Sequence, residues 1–472
     1  MAGTLSEKPG DGGDAEGSET TLGGSERDAW VQEQYEQYPY PERDPAEEDR
    51  RLVLGSPSHW PELVHYVFGG HAPEDRPFRA LVAGGGTGDA TMMLGEALRA
   101  REAPYELMHL DLSGPSLAIA RARAAQRGLT GINFVQGSLL EVASLAPGPW
   151  DYIDCCGVLH HLEEPEAGLH ALASVLAPGG GMGLMLYGEL GRTGVYHVRE
   201  LLRALAPPGA GPDAERLTVA KRLLASLPPT AWLNRNGQIR DHRSGGDPGI
   251  FDLFLHARDR AYRVSEIFDL VAAARLRIAS FIEPFRYDPA FLIQDPELRG
   301  LATSLPPRAA TAFAEQWSGN LKKHVFYVVA EDNPIAPPAF GPDAVPILTF
   351  VSPDSAAAEM PPGGTIVIQS DGLRIALPIP AHAPDLIALC DGTRSIRAIC
   401  RLGSARTGLP MSEAERQLAG LYRVMNAINQ MVLEVPAKHG AHLPGSTSRP
   451  SSRGSGHHAR PARRRRARPR RG

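Results

Sequence analysis

Leu81-Val82-Ala83 runs into Gly84-Gly85-Gly86-Thr87-Gly88, and a helical pattern over Asp89 to Ala100 follows without a break. A strand, a tight glycine turn and a helix N-terminus in that order let backbone amides come close to a nucleotide-like ligand. Asp111, twenty-three residues after Gly88, closes the next expected strand, where a carboxylate can accept both hydroxyls of a ribose. The loop has no lysine for a phosphate-gripping P-loop, and Asp89 stands where a dinucleotide fingerprint needs glycine or alanine. What is left is a nucleoside cofactor without a pyrophosphate. His160 and His161, in the stretch Gly157 to Leu162, could move a proton, because histidine titrates near neutral pH. Asp241, His242, Asp252 and His256 are further polar candidates, each suited first to structural hydrogen bonding and only second to catalysis. Four cysteines without a Cys-x-x-Cys pair argue against a disulfide scaffold and a structural zinc site, so no metal is expected. The adjacent Cys155 and Cys156 read as buried reduced thiols.

The elements that must hold these residues alternate along the chain. After the loop and its helix come a strand over Glu106 to Ser113, a helix over Pro115 to Arg127 and a strand over Ile132 to Val142 bearing Gly137-Ser138. A strand over Asp151 to Leu162, a helix over Pro165 to Leu176, the turn Ala177-Pro178-Gly179-Gly180 and a strand over Met182 to Tyr187 complete the set. Alternation at this spacing predicts a parallel sheet with helices on both faces.

In this order the pieces resemble the class I S-adenosylmethionine-dependent methyltransferases, closely over Phe78 to Tyr187 and loosely over Trp30 to Ala330. The matching parts are the glycine loop, the acid after the second strand, Gly137-Ser138, Asp151-Tyr152-Ile153-Asp154 with the histidine stretch, and the Pro-Gly-Gly turn. The resemblance implies an α/β, Rossmann-like fold with a mostly parallel seven-stranded sheet. Its last two strands would lie at Leu276 to Phe285 and Lys323 to Glu331, the second antiparallel. It implies S-adenosyl-L-methionine as cofactor, held by Gly84, Gly86, Thr87, Gly88, Asp111, Leu112, Ser138, Leu139, Cys156 and Gly157. It also implies a small-molecule or peptide/protein methyl acceptor, with His160 or His161 as base. An aromatic N-terminal segment often covers the cofactor in this family, and Trp30 to Arg43, with Tyr35, Tyr38 and Tyr40, resembles such a lid. One departure stands out. Val82 occupies the position where the family usually carries an acid that orients the methionine end, so another group must do so.

A chain of 472 residues suggests more than one domain. Residues 1–28 are acidic and glycine-rich without an apolar stretch, and read as a disordered end, not a signal peptide. Residues 29–331 make the methyltransferase-like domain, with a helical insertion over 188–255 expected above the strand ends, where a substrate pocket would lie. Prolines over 332–346 mark a linker, and 347–435 read as a small α+β, winged-helix-like module with a hairpin turning at Asp371-Gly372. Residues 436–472 form a basic tail of eleven Lys and Arg and no acid; 49 basic residues less these leave 38 against 54 acids, about −16 for the rest. The tail has no interleaved aromatics, so a solvated end is expected over a nucleic-acid arm. No apolar run is long enough for a membrane helix, and a cytoplasmic protein is expected. A non-catalytic cofactor-binding or peptide-docking protein is the alternative to an enzyme.

Overall fold

The structure is a computed structural model, and it describes Glu36 and residues 39–209, 211–256 and 258–436. Tyr35, Tyr38, the acidic N-terminus and the basic tail lie outside the described residues. Seven strands form the main sheet: β1 Phe78–Ala83, β2 Tyr105–Asp111, β3 Ile132–Gln136, β4 Trp150–Cys156, β5 Leu176–Tyr187, β6 Leu276–Phe281 and β7 Lys323–Ala330. Their order is β3-β2-β1-β4-β5-β7-β6, parallel except for β7, which is antiparallel to both β5 and β6. This is the expected Rossmann-like α/β fold.

Strands covered on both faces need apolar residues at nearly every position, and β1 is buried at all but one. One face packs helices Pro165–Ser174 and Val264–Ala273 over Leu81, Ile153, Leu184 and Phe326. The other packs Leu63–Val67 and helix Asp89–Ala100 over Ala80, Val82, Tyr152 and Tyr327. Helix Asp89–Ala100 has the expected bounds, entered through Gly88 at φ +102°. The third strand is shorter than expected. It ends at Gln136, and the Ser138 hydroxyl accepts the Leu140 N–H (3.2 Å), capping a short helical turn Leu139–Glu141. The fourth strand likewise stops at Cys156, and Leu159–His161 is a turn of 3₁₀-helix.

The insertion folds on itself. Helices Val195–Leu205 and Asp213–Ser226 and the segment Phe251–Leu255 share a core of their own around Val198, Leu217 and Phe254. Beyond the proline-rich stretch come β8 Val345–Leu348, β9 Thr365–Ser370, β10 Leu373–Pro378 and β11 Met431–Glu434. β9 and β10 make the hairpin, turning through Asp371 (φ +46°) and Gly372 (φ +77°), both left-handed as a two-residue turn requires. β8 pairs with β11 around the helices, a second two-stranded pairing beside the hairpin. The module also shares one core with the sheet domain: Phe285, Leu292 and Ala314 pack with Leu386, Leu418 and Leu433.

Candidate active site

A cavity of about 570 Å³ opens at the carboxyl ends of β1, β2, β4 and β5, where ligands bind in open α/β sheets. Gly84, Gly86, Asp111, Leu112, Ser138, Leu139, Cys156 and Gly157 line it. Thr87 and Gly88 do not. Thr87 is fully buried and its hydroxyl donates to Pro41 O (2.8 Å), while Gly88 lies against Ala120; both shape the loop from behind.

The loop has no room for side chains. A Cβ at Gly84 would lie 2.4 Å from Val158 Cγ2, at Gly85 2.4 Å from the His109 ring, and at Gly86 2.9 Å from Tyr40 O. Asp111 ties loop and second strand together: Oδ2 accepts the Gly86 N–H (2.7 Å) and Oδ1 the Ser113 N–H (2.8 Å). Burial raises its pKa, and these amides oppose the rise. Each oxygen keeps acceptor capacity beyond its amide, so the carboxylate can still take ribose hydroxyls.

The roof was only partly foreseen. Tyr40, Pro41 and Arg43 line the cavity, with Tyr40 O against Gly86. Arg43 grips Asp89 with two hydrogen bonds (2.9 and 2.6 Å), and Asp89 also takes buried Arg123 Nη1 (2.8 Å). Val53 to Ser58 add a second stretch that no motif announced. The insertion contributes less than expected. Of its described residues only Asp252 lines the cavity; His256 is buried behind, its ring stacked 3.9 Å from that of His161. His242 packs against Phe254, away from the cavity, and the Asp241 side chain lies outside the described residues.

His160 needs correcting as a base. It is fully buried, does not line the cavity, and lies against the Tyr187 ring (3.9 Å) with neither ring nitrogen hydrogen-bonded. Its backbone explains the direction: His160 O accepts the Arg260 N–H (3.2 Å), anchoring the turn so that its neighbour faces the cavity. His161 lines the cavity, with Nδ1 2.8 Å from Arg258 O. A carbonyl only accepts, so neutral His161 carries its proton on Nδ1 and its lone pair on Nε2. Burial lowers the His161 pKa, with Asp259 and Asp252 opposing. Tyr187, Lys323 and Asp252 complete this end, the Tyr187 hydroxyl donating to Asp252 Oδ2 (3.3 Å).

The donor set suits S-adenosylmethionine: a carboxylate for ribose, Leu112 and Leu139 as apolar walls, and further carboxylates for a cationic end. Among the described residues no cluster could hold a metal ion, and no helix is long and apolar enough to cross a membrane.

Comparison with known proteins gives a consistent answer. A family model described as a methyltransferase domain matches residues 81–182. An uncharacterized protein from Synechococcus is 31% identical over 54% of this chain and 60% of its own length. A ubiquinone biosynthesis O-methyltransferase from Klebsiella pneumoniae is 32% identical over 15% of this chain and 29% of its own. The chain thus spans at most about three-fifths of these relatives. Among solved structures, PKMT2 from Rickettsia typhi shares the fold, with a TM-score of 0.58, 12% identity, and coverage of 79% of this chain and 74% of that one.

Proposed function

Because the chain belongs to the class I S-adenosylmethionine-dependent methyltransferases, we propose that it binds S-adenosylmethionine in this cavity and transfers its methyl group to a small-molecule or protein acceptor. The observation that carries the reading is Asp111, a buried carboxylate held by the Gly86 amide at the mouth of a side-chain-free glycine loop. When bound, the cofactor supplies an electrophilic methyl on a sulfonium, with a good leaving group already in place. The chain then has to bind, orient and exclude water. Gly84 to Gly86 admit the nucleoside, Asp111 takes the ribose hydroxyls, and Leu112 and Leu139 flank the base. Tyr40, Pro41 and Ser56 to Ser58 close the space above. His161, neutral at pH 7 because burial lowers its pKa, accepts the proton of an acceptor that arrives protonated.

Isothermal titration with S-adenosylmethionine tests the first half. Asp111→Ala should weaken binding about tenfold to a hundredfold, the loss of roughly 1.5 to 3 kcal/mol of charge-assisted hydrogen bonding. Gly86→Val should abolish it, since a branched side chain meets Tyr40 O and opposes the positive φ. Unchanged affinity in both variants would remove the reading. A labelled-methyl screen against lysate fractions, read as S-adenosylhomocysteine formed, tests the second half; binding without turnover would favour a non-catalytic protein.

A further inference from the structure

We propose that Asp154 receives the ammonium group at the methionine end of S-adenosylmethionine, doing from β4 what Val82 on β1 has no side chain to do. The inference rests on the cofactor reading above. Four carboxylates line the cavity among the described residues: Asp89, Asp111, Asp154 and Asp252. Asp89 is neutralised by Arg43 and Arg123. Asp111 has an amide on each oxygen and belongs to the ribose. Asp252 takes the Tyr187 hydroxyl and lies in the field of His161 and Arg192. Asp154 differs from all three. It is 2% exposed, and its partners, the Ser58 hydroxyl on Oδ2 (2.5 Å) and the Cys156 amide, are neutral.

A buried carboxylate held by neutral groups is costly, and a cation brought by a ligand removes much of that cost. Burial pushes Asp154 up to about 6 despite the Ser58 bond, the mark of a carboxylate short of positive charge. Its position fits the task. Val82 and Asp154 are paired in register on adjacent parallel strands, so their side chains share one face of the sheet. The acid has moved one strand sideways, on the same side as the missing one. Ser58, itself fully buried and lining the cavity, reaches down from the N-terminal roof and fixes the carboxylate's orientation.

Titrating the full chain with three ligands separates the possibilities: S-adenosylmethionine, S-adenosylhomocysteine, and 5′-methylthioadenosine, which keeps the nucleoside but lacks the amino-acid end. Asp154→Asn should weaken the first two roughly tenfold to a hundredfold and leave the third unchanged. Asp111→Ala should weaken all three. Ser58→Ala, which keeps the charge but frees its orientation, should weaken S-adenosylmethionine by less and again spare methylthioadenosine. If Asp154→Asn binds S-adenosylmethionine like the parent, or loses methylthioadenosine equally, the assignment is overturned. Should that variant fail to fold, Ser58→Ala decides by the same comparison. A parent chain that binds none of the three ligands sinks the cofactor reading itself.

Discussion

His160 and His161 are adjacent and chemically identical, yet their surroundings give them opposite roles. His161 borders the cavity with its proton fixed by Arg258 O, whereas His160 is sealed against Tyr187. His161→Gln should therefore lower kcat about a hundredfold or more while leaving the dissociation constant of S-adenosylmethionine unchanged. His160→Phe, which keeps the ring contact, should leave kcat near the parent value; an equal loss in both would show that the two histidines act through packing. The pH profile follows from sign. Burial lowers the His161 pKa, so the base is neutral above the usual value near 6.5 and kcat should be level there. It should fall only as pH drops below that, and an acid limb centred above 6.5 would exclude His161. The sequence names both histidines but not which one faces the cavity. That choice depends on the Arg260–His160 bond, made between residues a hundred positions apart.

The strand, glycine loop and helix around Gly84 to Ala100 were legible because each signal is local: an apolar run, glycines at turn spacing and a helix start. The roof was not. Val53 to Ser58 carry no periodicity, and they gain meaning only from partners such as Asp154, ninety-six positions away from Ser58. Asp154 itself reads in sequence as one more residue of a buried strand. The aromatic Pro-rich segment at Tyr40 stands out in the sequence, but its fastening was hidden in the ion pair of Arg43 with Asp89. Burial alone would raise the Asp89 pKa, yet hydrogen bonds from Arg43 and Arg123 carry it below the usual carboxylate value. Arg43→Ala should loosen this segment and weaken S-adenosylmethionine about three- to tenfold by titration, since a partly exposed pair contributes on the order of 1 kcal/mol or less. Affinity equal to the parent's would mean that the segment closes without this bond.

At the scale of the molecule, a break in composition turned out not to be a break in packing. The prolines over 332–346 look like a linker, but the residues beyond them complete the core of the residues before. β11 is the clearest case. Leu433 packs with Phe285 and Ala314, Val432 with Tyr66 and Val329, and His65 Nδ1 faces both the Leu433 carbonyl (3.0 Å) and the Leu433 N–H (3.1 Å). Beside it, fully buried Glu62 takes the Asn429 amide (2.9 Å) and the Tyr327 hydroxyl (3.0 Å). Ending the chain after Glu331 should expose this apolar surface and strand Glu62 and His65, so the shortened protein should not fold to a cooperative state. The full chain should show one calorimetric transition for sheet and module together; two separate transitions would restore the linker reading. His65 makes the seam sensitive to acid. Burial lowers its pKa to about 4, against a value near 6.5 in the unfolded chain. The unfolded state binds the proton first, so His65 contributes its full stability above pH 6.5 and loses it as pH falls to about 4. The span corresponds to on the order of 3 kcal/mol. His65→Asn, whose amide offers both a donor and an acceptor to the Leu433 backbone without the titration, should flatten the fall in melting temperature between pH 6.5 and 4. Asp154, whose pKa burial raises to about 6, works in the opposite direction over the same window, so the comparison must be between variant and parent at each pH. Parallel curves for the two proteins would show that the seam does not open on protonation.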